Sequence, residues 1–165
     1  MVATDSFEKL LRTCITLAFQ DAPLQSVSIF DSGKSEETLP FPPSLVDGRL
    51  DAIQTNRELG IIHTAFTSGE KPFVATIHSP NRPMRFSFIL SSDPTEVSVA
   101  GEPLAFQVSG GQSTLLSVPS ALVNVVPPHH RFHNFCILVD ESLVVSCLEE
   151  VPLHTAAGLT KAVEK

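Results

Sequence analysis

The chain has 165 residues, of which 42% are hydrophobic and 18% charged, and its formal net charge at pH 7 is −7. This length and apolar content suffice for one domain with a hydrophobic core and exclude a disordered chain. The acidic balance, the lack of a Lys or Arg cluster and the lack of Tyr and Trp argue against nucleic acid and anionic membranes as partners. We therefore predict that residues 1–165 form a single globular domain.

Two features of the sequence bear on the cellular compartment. No run approaches the roughly 18 consecutive apolar residues that a membrane span needs. The first residues, MVATDSFEKLL, contain acids where a signal peptide has a basic flank followed by an apolar run. We expect a cytosolic or nuclear protein whose cysteines, Cys14, Cys136 and Cys147, are reduced and mostly buried.

The first predicted element is an amphipathic helix over residues 5–20. Asp5 and Glu8 have the spacing of a capping box at its start, and Pro23 follows its end. Its apolar residues recur at spacings of three and four, which places them on one helical face: Phe7, Leu10, Leu11, Cys14, Leu17 and Ala18. A single apolar stripe predicts that this helix packs against a sheet.

The next part of the chain carries signals for a strand, a loop and a second helix. Alternation of Val and Ile with Ser predicts a half-buried strand over 24–30. The polar segment 31–43 ends in prolines and is expected to be a loop. A second helix is expected over 44–60, between a capping serine and a terminal glycine, although Gly48 lowers the helical propensity inside it.

The pattern from residue 61 onward is that of short β-strands. A further strand over 115–126 is interrupted at Pro119, and 135–148 has the pattern of a hairpin with its turn at Asp140–Ser142. A short C-terminal helix is expected over 155–165. These elements predict an α+β fold, in which a mostly antiparallel sheet (a meander, sandwich or barrel) carries the N-terminal and C-terminal helices. The other predicted strands are 61–67, 73–78, 84–90, 96–100 and 104–109.

Three of the six histidines, His129, His130 and His133, lie close together. With Cys136 and Asp140 downstream, their spacing could offer ligands to zinc or another divalent metal. Two observations oppose this interpretation: an extended chain would point His133 and Cys136 to opposite faces, and no glycine helps the chain to turn. No cofactor is therefore favoured, and a divalent metal is the one that the pattern leaves open.

His130 and His133 are also the candidates for acid–base catalysis, because an imidazole titrates near neutral pH. Asp140 would lie at the far end of the predicted strand, on the order of 20 Å away, and so could not orient them. Cys136 as a nucleophile is opposed by its apolar strand, where a thiol is inert. The catalytic residues are therefore unassigned, and the sequence leaves open whether the protein is an enzyme.

Two weaker patterns have simpler explanations. The segment 31–37, DSGKSEE, contains Gly-Lys-Ser, but it lacks the first glycine of a phosphate-binding loop and has acids where the helix should begin. We interpret it as a flexible acidic loop. His63 and His78 lie on neighbouring predicted strands, where they could face each other and form half of a site with His133. Ordinary packing in a sheet is the simpler explanation for both.

Two classes of function remain open. The favoured one is a non-catalytic intracellular interaction or assembly domain, with another subunit or a second copy as partner, because no catalytic constellation is complete. The alternative is a small enzyme or ligand-binding protein. Its hydrophobic pocket would lie in the β-sheet, with His129, His130 and His133 at its mouth, and would take an apolar small molecule.

Overall fold

The computed structural model describes residues 15–20, 26–30, 34–55, 58–79, 83–101, 103, 105–117 and 121–149, and this part of the chain contains twelve strands and one helix. The strands are β1 (Ile15–Phe19), β2 (Ser26–Ile29), β3 (Glu36–Pro40), β4 (Val46–Gln54), β5 (Leu59–Ser68), β6 (Phe73–His78), β7 (Met84–Ile89), β8 (Thr95–Val99), β9 (Ala105–Val108), β10 (Ser113–Ser117), β11 (Leu122–Val126) and β12 (Arg131–Val139), and the helix is α1 (Glu141–Glu149).

The strands form two six-stranded sheets that pack face to face. The first sheet has the order β2-β1-β6-β11-β8-β9 and the second the order β10-β7-β12-β5-β4-β3, and neighbouring strands are antiparallel throughout. From β5 onward the chain passes repeatedly from one sheet to the other. Both sheets contribute to one hydrophobic core, which contains Val126 of β11 and Leu138 of β12.

Alternating burial along the two central strands of the second sheet explains how this core forms. In β5 and β12 every second side chain points between the sheets, and the residues between them face outward. Phe66 of β5 bridges the layers, because its ring lies 4.4 Å from that of Phe73 in the first sheet and 5.2 Å from that of Phe132. Aromatic packing of this kind buries a large apolar area and holds the sheets together.

The α+β prediction is wrong, because the described part of the chain is nearly all β. The last residues of the predicted N-terminal helix, Ile15–Phe19, form β1 between β2 and β6. Leu17 and Phe19 are two residues apart and both are buried, which is the spacing of one face of a strand. The rest of that helix, residues 5–14, and the predicted C-terminal helix over 155–165 lie outside the described residues, so the single-domain prediction stays a prediction.

The predicted second helix is also wrong, since most of it forms β4, which pairs with β3 and β5. Part of the predicted loop 31–43 is β3. Gly48 has a structural reason to be a glycine here: a Cβ atom at this position would collide with the carbonyl oxygen of Ala65 and with the Cβ of Phe66. The glycine therefore allows the backbones of β4 and β5 to approach closely.

The predicted hairpin over 135–148 is replaced by a strand followed by a helix. Asp140 is buried and caps α1: its Oδ1 accepts hydrogen bonds from Ser142 N (2.8 Å) and Ser142 Oγ (2.5 Å), and its carbonyl accepts from the amides of Leu143 and Val144. An aspartate followed by a serine two residues later thus begins a helix here instead of a turn. No helix within the described residues is long and apolar enough to cross a membrane.

The remaining strand predictions are confirmed, with shifts at their ends. The strands predicted over 24–30, 61–67, 73–78, 84–90, 96–100 and 104–109 correspond to β2 and β5 to β9. The interrupted strand 115–126 is two strands, β10 and β11, which lie in different sheets.

Candidate ligand cavity

A cavity of about 70 Å³ lies between the two sheets. Its lining is mostly apolar and comes from both layers. Phe66 and Phe132, which are neighbours across β5 and β12, wall one end together with Phe73 and Phe41. Leu138 lies six residues further along β12 than Phe132 and lines the cavity towards its other end.

Among the described residues of this lining, Arg85 is the one cationic side chain. It lies on β7 opposite Leu138 and Leu116, and it is only half-exposed. Its Nε donates a hydrogen bond of 2.9 Å to Oγ of Ser87, which is buried between the sheets. The guanidinium group therefore lies along the inner side of β7, and none of the described lining residues is acidic.

Two asparagines on facing strands add polar atoms to the same cavity. Asn134 of β12 is 3% exposed, and its Oδ1 has no hydrogen-bond partner among the described residues. Asn124 of β11 is also buried and lies across from it in the other sheet. A second space, of about 10 Å³, is lined by Asn124 and Asn134 together with Arg85 and Ser87. We call these four residues the polar corner of the cavity.

Another side chain in the lining, Ser79, also lacks a partner. Its Oγ is buried and makes no hydrogen bond in the described part of the chain. Buried polar atoms are almost always hydrogen-bonded in folded proteins, to protein groups, to water or to a ligand. A molecule inside the cavity that donates a hydrogen bond can therefore pair with Oδ1 of Asn134 or Oγ of Ser79.

His133 does not line this cavity, because it lies on the outer face of the second sheet. Its Nε2 is 2.7 Å from Nε2 of His63 on β5, and the rings meet edge to face with centroids 4.9 Å apart. Nδ1 of His63 in turn lies 3.5 Å from Oδ2 of Asp51 on β4. Asp51, and not Asp140, is therefore the carboxylate that approaches His133, and it does so through His63.

The electrostatics of this outer-face group follow from its contacts. Burial alone would raise the pKa of Asp51, but hydrogen bonds from Thr38 Oγ1 (2.9 Å), Arg49 Nε (3.0 Å) and His63 lower it below its ordinary value. The pKa of His133 is also lowered, first by burial and then by the positive charges of His63 and Arg131. Both shifts favour a neutral His133 beside an ionised Asp51.

The other two histidines of the sequence cluster lie in the turn between β11 and β12. His129 is exposed, has a left-handed backbone (φ 59°), and donates its amide to the carbonyl of Gly69 at 3.0 Å. His130 places Nδ1 2.7 Å from the carbonyl oxygen of Pro128, which fixes the ring over its own turn. The chain does turn sharply here without a glycine, yet the structure does not bring the three imidazoles together.

The remaining candidates are also separated. Cys136 is 1% exposed and points into the core, so the expectation that His133 and Cys136 face opposite ways is confirmed. His78 lies on β6 of the first sheet, apart from His63 in the second. No group of three or more His, Cys, Asp or Glu side chains within the described residues is arranged to hold a metal ion.

Sequence reasoning did not identify Arg85, Asn124, Asn134 or Ser79. The available signal was a polar residue inside a mostly apolar strand, as Asn124 is in LVNVV and as Asn134, next to His133, is in FHNFCILV. Such a residue at an inward position is a buried polar group that needs a partner. That signal becomes useful only when the inward face of the strand is known.

Comparison with known proteins gives similarity in three dimensions only. No protein-family model matches the sequence, and no curated protein matches it. An RmlC-like cupin from Shewanella frigidimarina is similar over 66% of this chain and 86% of its own, at 18% identity and a TM-score of 0.44. A Cupin 2 conserved barrel domain protein from Salinispora arenicola is similar over 75% and 96%, at 11% identity and a TM-score of 0.46.

A third solved structure covers more of this chain. The AraC-like transcriptional activator CuxR is similar over 92% of this chain and 51% of its own, at 9% identity and a TM-score of 0.48. Similarity at this level carries no information about a ligand or an activity, because one architecture serves many functions.

Proposed function

We propose that this protein binds a small, largely apolar molecule in the cavity between its two sheets. The observation that carries the proposal is the lining: an apolar wall with a few convergent polar groups, of which Asn134 Oδ1 is buried without a partner. Ligand sites in proteins typically combine these two properties. A site for one water takes about 10–15 Å³, so the cavity has room for about five waters or a ligand of similar size.

The proposal is for binding and assigns no chemical step. The groups best suited to proton transfer, His63 and His133, lie on the opposite side of the second sheet from the cavity. Cys136 lines the cavity, but no histidine or carboxylate appears in the described lining to activate it. This proposal keeps the ligand-binding alternative that the sequence suggested, but it does not place the histidines at the mouth of the pocket.

The experiment is to fill the cavity and compare binding of a neutral probe, isobutanol. Ala75 of β6 is buried and lines the cavity, so Ala75→Leu should occupy much of its volume. Ala65 of β5 faces outward, and Ala65→Leu adds the same atoms outside the cavity. Isobutanol is titrated into each protein and the amide chemical shifts of residues 122–138 are followed by NMR.

We expect saturable shifts in the wild type and in Ala65→Leu, and their loss in Ala75→Leu. The reason is that a filled cavity offers no space, whereas the outer-face change leaves the lining intact. The proposal fails if isobutanol causes no saturable shifts in the wild type. It also fails if the shifts persist unchanged in a folded Ala75→Leu protein.

The interaction domain predicted from the sequence is the second candidate, and one observation favours it. Phe88 of β7 and Leu115 of the edge strand β10 are 38% and 53% exposed on the outer face of the second sheet. Apolar side chains beside an open edge are common at contacts between protein chains. Sedimentation velocity tests a second copy as partner: a dimer that Leu115→Ser abolishes would support this candidate, and a monomer at all concentrations would remove it.

A further inference from the structure

We propose that the ligand of the cavity is a short-chain monocarboxylate whose carboxylate is bound by Arg85 in the polar corner. This inference rests on the proposed function, because it names the chemical class of molecule that the same cavity takes. It is carried by four observations: the unused donors of Arg85, the charge of its surroundings, the direction of its guanidinium, and the size of the apolar part of the cavity.

The first observation concerns the hydrogen bonds of Arg85. A guanidinium carries five N–H donors, and in the described structure the one on Nε is used, by Ser87. The outer edge of the group, which presents two parallel N–H bonds, has no described protein partner. This edge matches the two oxygens of a carboxylate, and such bidentate pairs are among the strongest hydrogen bonds in proteins.

The second observation concerns charge. Arg85 is half-buried against Leu116 and Leu138, and none of the described residues that line the cavity is a carboxylate. Asp51, the carboxylate of the outer-face group, is paired with Arg49 on the other side of the second sheet. A cation next to an apolar space attracts an anion there more strongly than in bulk water, because the local dielectric is low, and this attraction offsets part of the cost of removing the anion from water.

The third observation is the direction of the guanidinium within the cavity. Arg85 bonds to Ser87, whose backbone partner is Cys136, so the group extends along the strand from Leu138 towards Asn134. Asn124 and Asn134 share with Arg85 the lining of the 10 Å³ space. A carboxylate in the polar corner can therefore accept from Arg85 and from the Nδ2 groups of Asn124 and Asn134, whereas the unpaired Oδ1 of Asn134 needs a separate donor.

The apolar remainder of the cavity limits the rest of the ligand. Isoleucine, leucine and phenylalanine side chains form most of the wall, and about 70 Å³ corresponds to roughly five water positions. A compact acid with a branched hydrocarbon end fits this space, and a long chain or a sugar does not. Isobutyrate is a probe of this class, and isobutyramide has the same shape and number of non-hydrogen atoms without the charge.

The test compares these two probes in three proteins at pH 7.5. The first is the wild type and the second is Arg85→Gln, which removes the charge at the cavity. The third is Arg49→Gln, a matched control, because Arg49 lies on the exposed outer face of the same sheet. Dissociation constants are measured by NMR titration, and the folding of each variant is checked by thermal melting and by isobutanol binding.

We expect the wild type and Arg49→Gln to bind isobutyrate at least about tenfold more tightly than isobutyramide, as a charged hydrogen bond implies. In Arg85→Gln the two probes should bind within about twofold of each other. If Arg85→Gln does not fold, Arg85→Lys is used. It should show a reduced but measurable preference for isobutyrate over isobutyramide, because lysine keeps the positive charge but lacks the two parallel N–H groups of a guanidinium.

The outcomes separate this inference from the proposed function. Equal binding of the two probes by the wild type, or an unchanged preference in Arg85→Gln, would overturn the carboxylate proposal while leaving a cavity that binds neutral molecules. If neither probe nor isobutanol binds the wild type, the proposed function itself is wrong and the inference falls with it.

Discussion

Nε2 of His63 and Nε2 of His133 lie 2.7 Å apart on the outer face of the second sheet. Two ring nitrogens at this distance share one proton, so at least one of the rings is neutral. His63 also faces Asp51, and the lowered pKa of His133 favours the neutral form of the His133 ring. The pair therefore couples the stability of β5 and β12 to pH.

The first prediction concerns stability at mildly acidic pH. The pKa of His133 in the folded protein is below its ordinary value of 6.5, so the unfolded chain binds more protons between these two pKa values. The contribution of His133 to the free energy of unfolding is therefore fully present above about pH 6.5, and it is lost as the pH falls through the lower pKa that His133 has in the folded protein. The melting temperature of the wild type should fall from pH 7.5 to 5.

Replacing His133 by Gln should remove this part of the pH dependence. In His133→Gln the melting temperature should change less over the same pH range, and His78→Gln, at the exposed end of β6, should behave like the wild type. Differential scanning calorimetry at several pH values gives the comparison. Identical profiles for the wild type and His133→Gln would contradict a lowered pKa of His133 in the folded protein.

The second prediction tests the capping role of Asp140. Asp140→Ala removes the acceptor for the amide and hydroxyl of Ser142, so it should lower the free energy of unfolding by about 1 kcal/mol. Asp140→Asn keeps a capping oxygen and should cost much less. Urea denaturation measures both. An equal loss in the two variants would show that the charge of Asp140, and not its cap, stabilises the start of α1.

The third prediction concerns the close approach of β4 and β5 at Gly48. Gly48→Ala places a Cβ against the backbone of β5, so the strands must separate, and we expect a loss of about 1–3 kcal/mol in the free energy of unfolding. Gly69→Ala is the control, because its Cβ would lie 3.3 Å from the carbonyl oxygen of Leu45, where a small shift relieves the contact. Equal effects of the two changes on urea unfolding would argue against this explanation.

The fourth prediction is a conflict between stability and binding at Asn134. Its buried Oδ1 lacks a partner in the described structure, and leaving such an atom unpaired costs about 1–3 kcal/mol. Asn134→Leu should therefore raise the free energy of unfolding of the ligand-free protein by about 1 kcal/mol and weaken isobutyrate binding. Asn134→Ala should not stabilise, because it enlarges the cavity. A destabilised Asn134→Leu protein would indicate that the amide is satisfied in solution.

Part of the fold follows from local patterns alone. Strands such as β5 and β7 have alternating or continuous apolar runs bounded by Gly, Pro and polar residues, and the sequence predicts them directly. The helical predictions over 5–20 and 44–60 failed where they can be tested. Leu17 fits the apolar stripe of the predicted helix with Cys14 and also the buried face of a strand with Phe19, and pairing with β2 and β6 decided between them.

The candidate site depended on the direction of side chains, which periodicity does not give. In β7 the alternation of Phe86 and Phe88 with Arg85 and Ser87 predicts a two-faced strand, but not which face is inside. The register with β12 turns Ser87 and Arg85 inward and leaves Phe88 exposed. Arg85, a charged residue of this strand, therefore faces the cavity and not the solvent-exposed side of the sheet.

The sequence by itself determined that the chain from residue 61 to 109 is built from short strands, and that His133 and Cys136 point to opposite sides. Both follow from composition and from the two-residue repeat of a strand, which are local properties. Only the tertiary structure decided that β10 and β11 separate into different sheets, that His63 and not His78 meets His133, and that Arg85 and Asn134 line the same cavity. These contacts join residues far apart in the chain, and strand pairing across the two sheets brings them together.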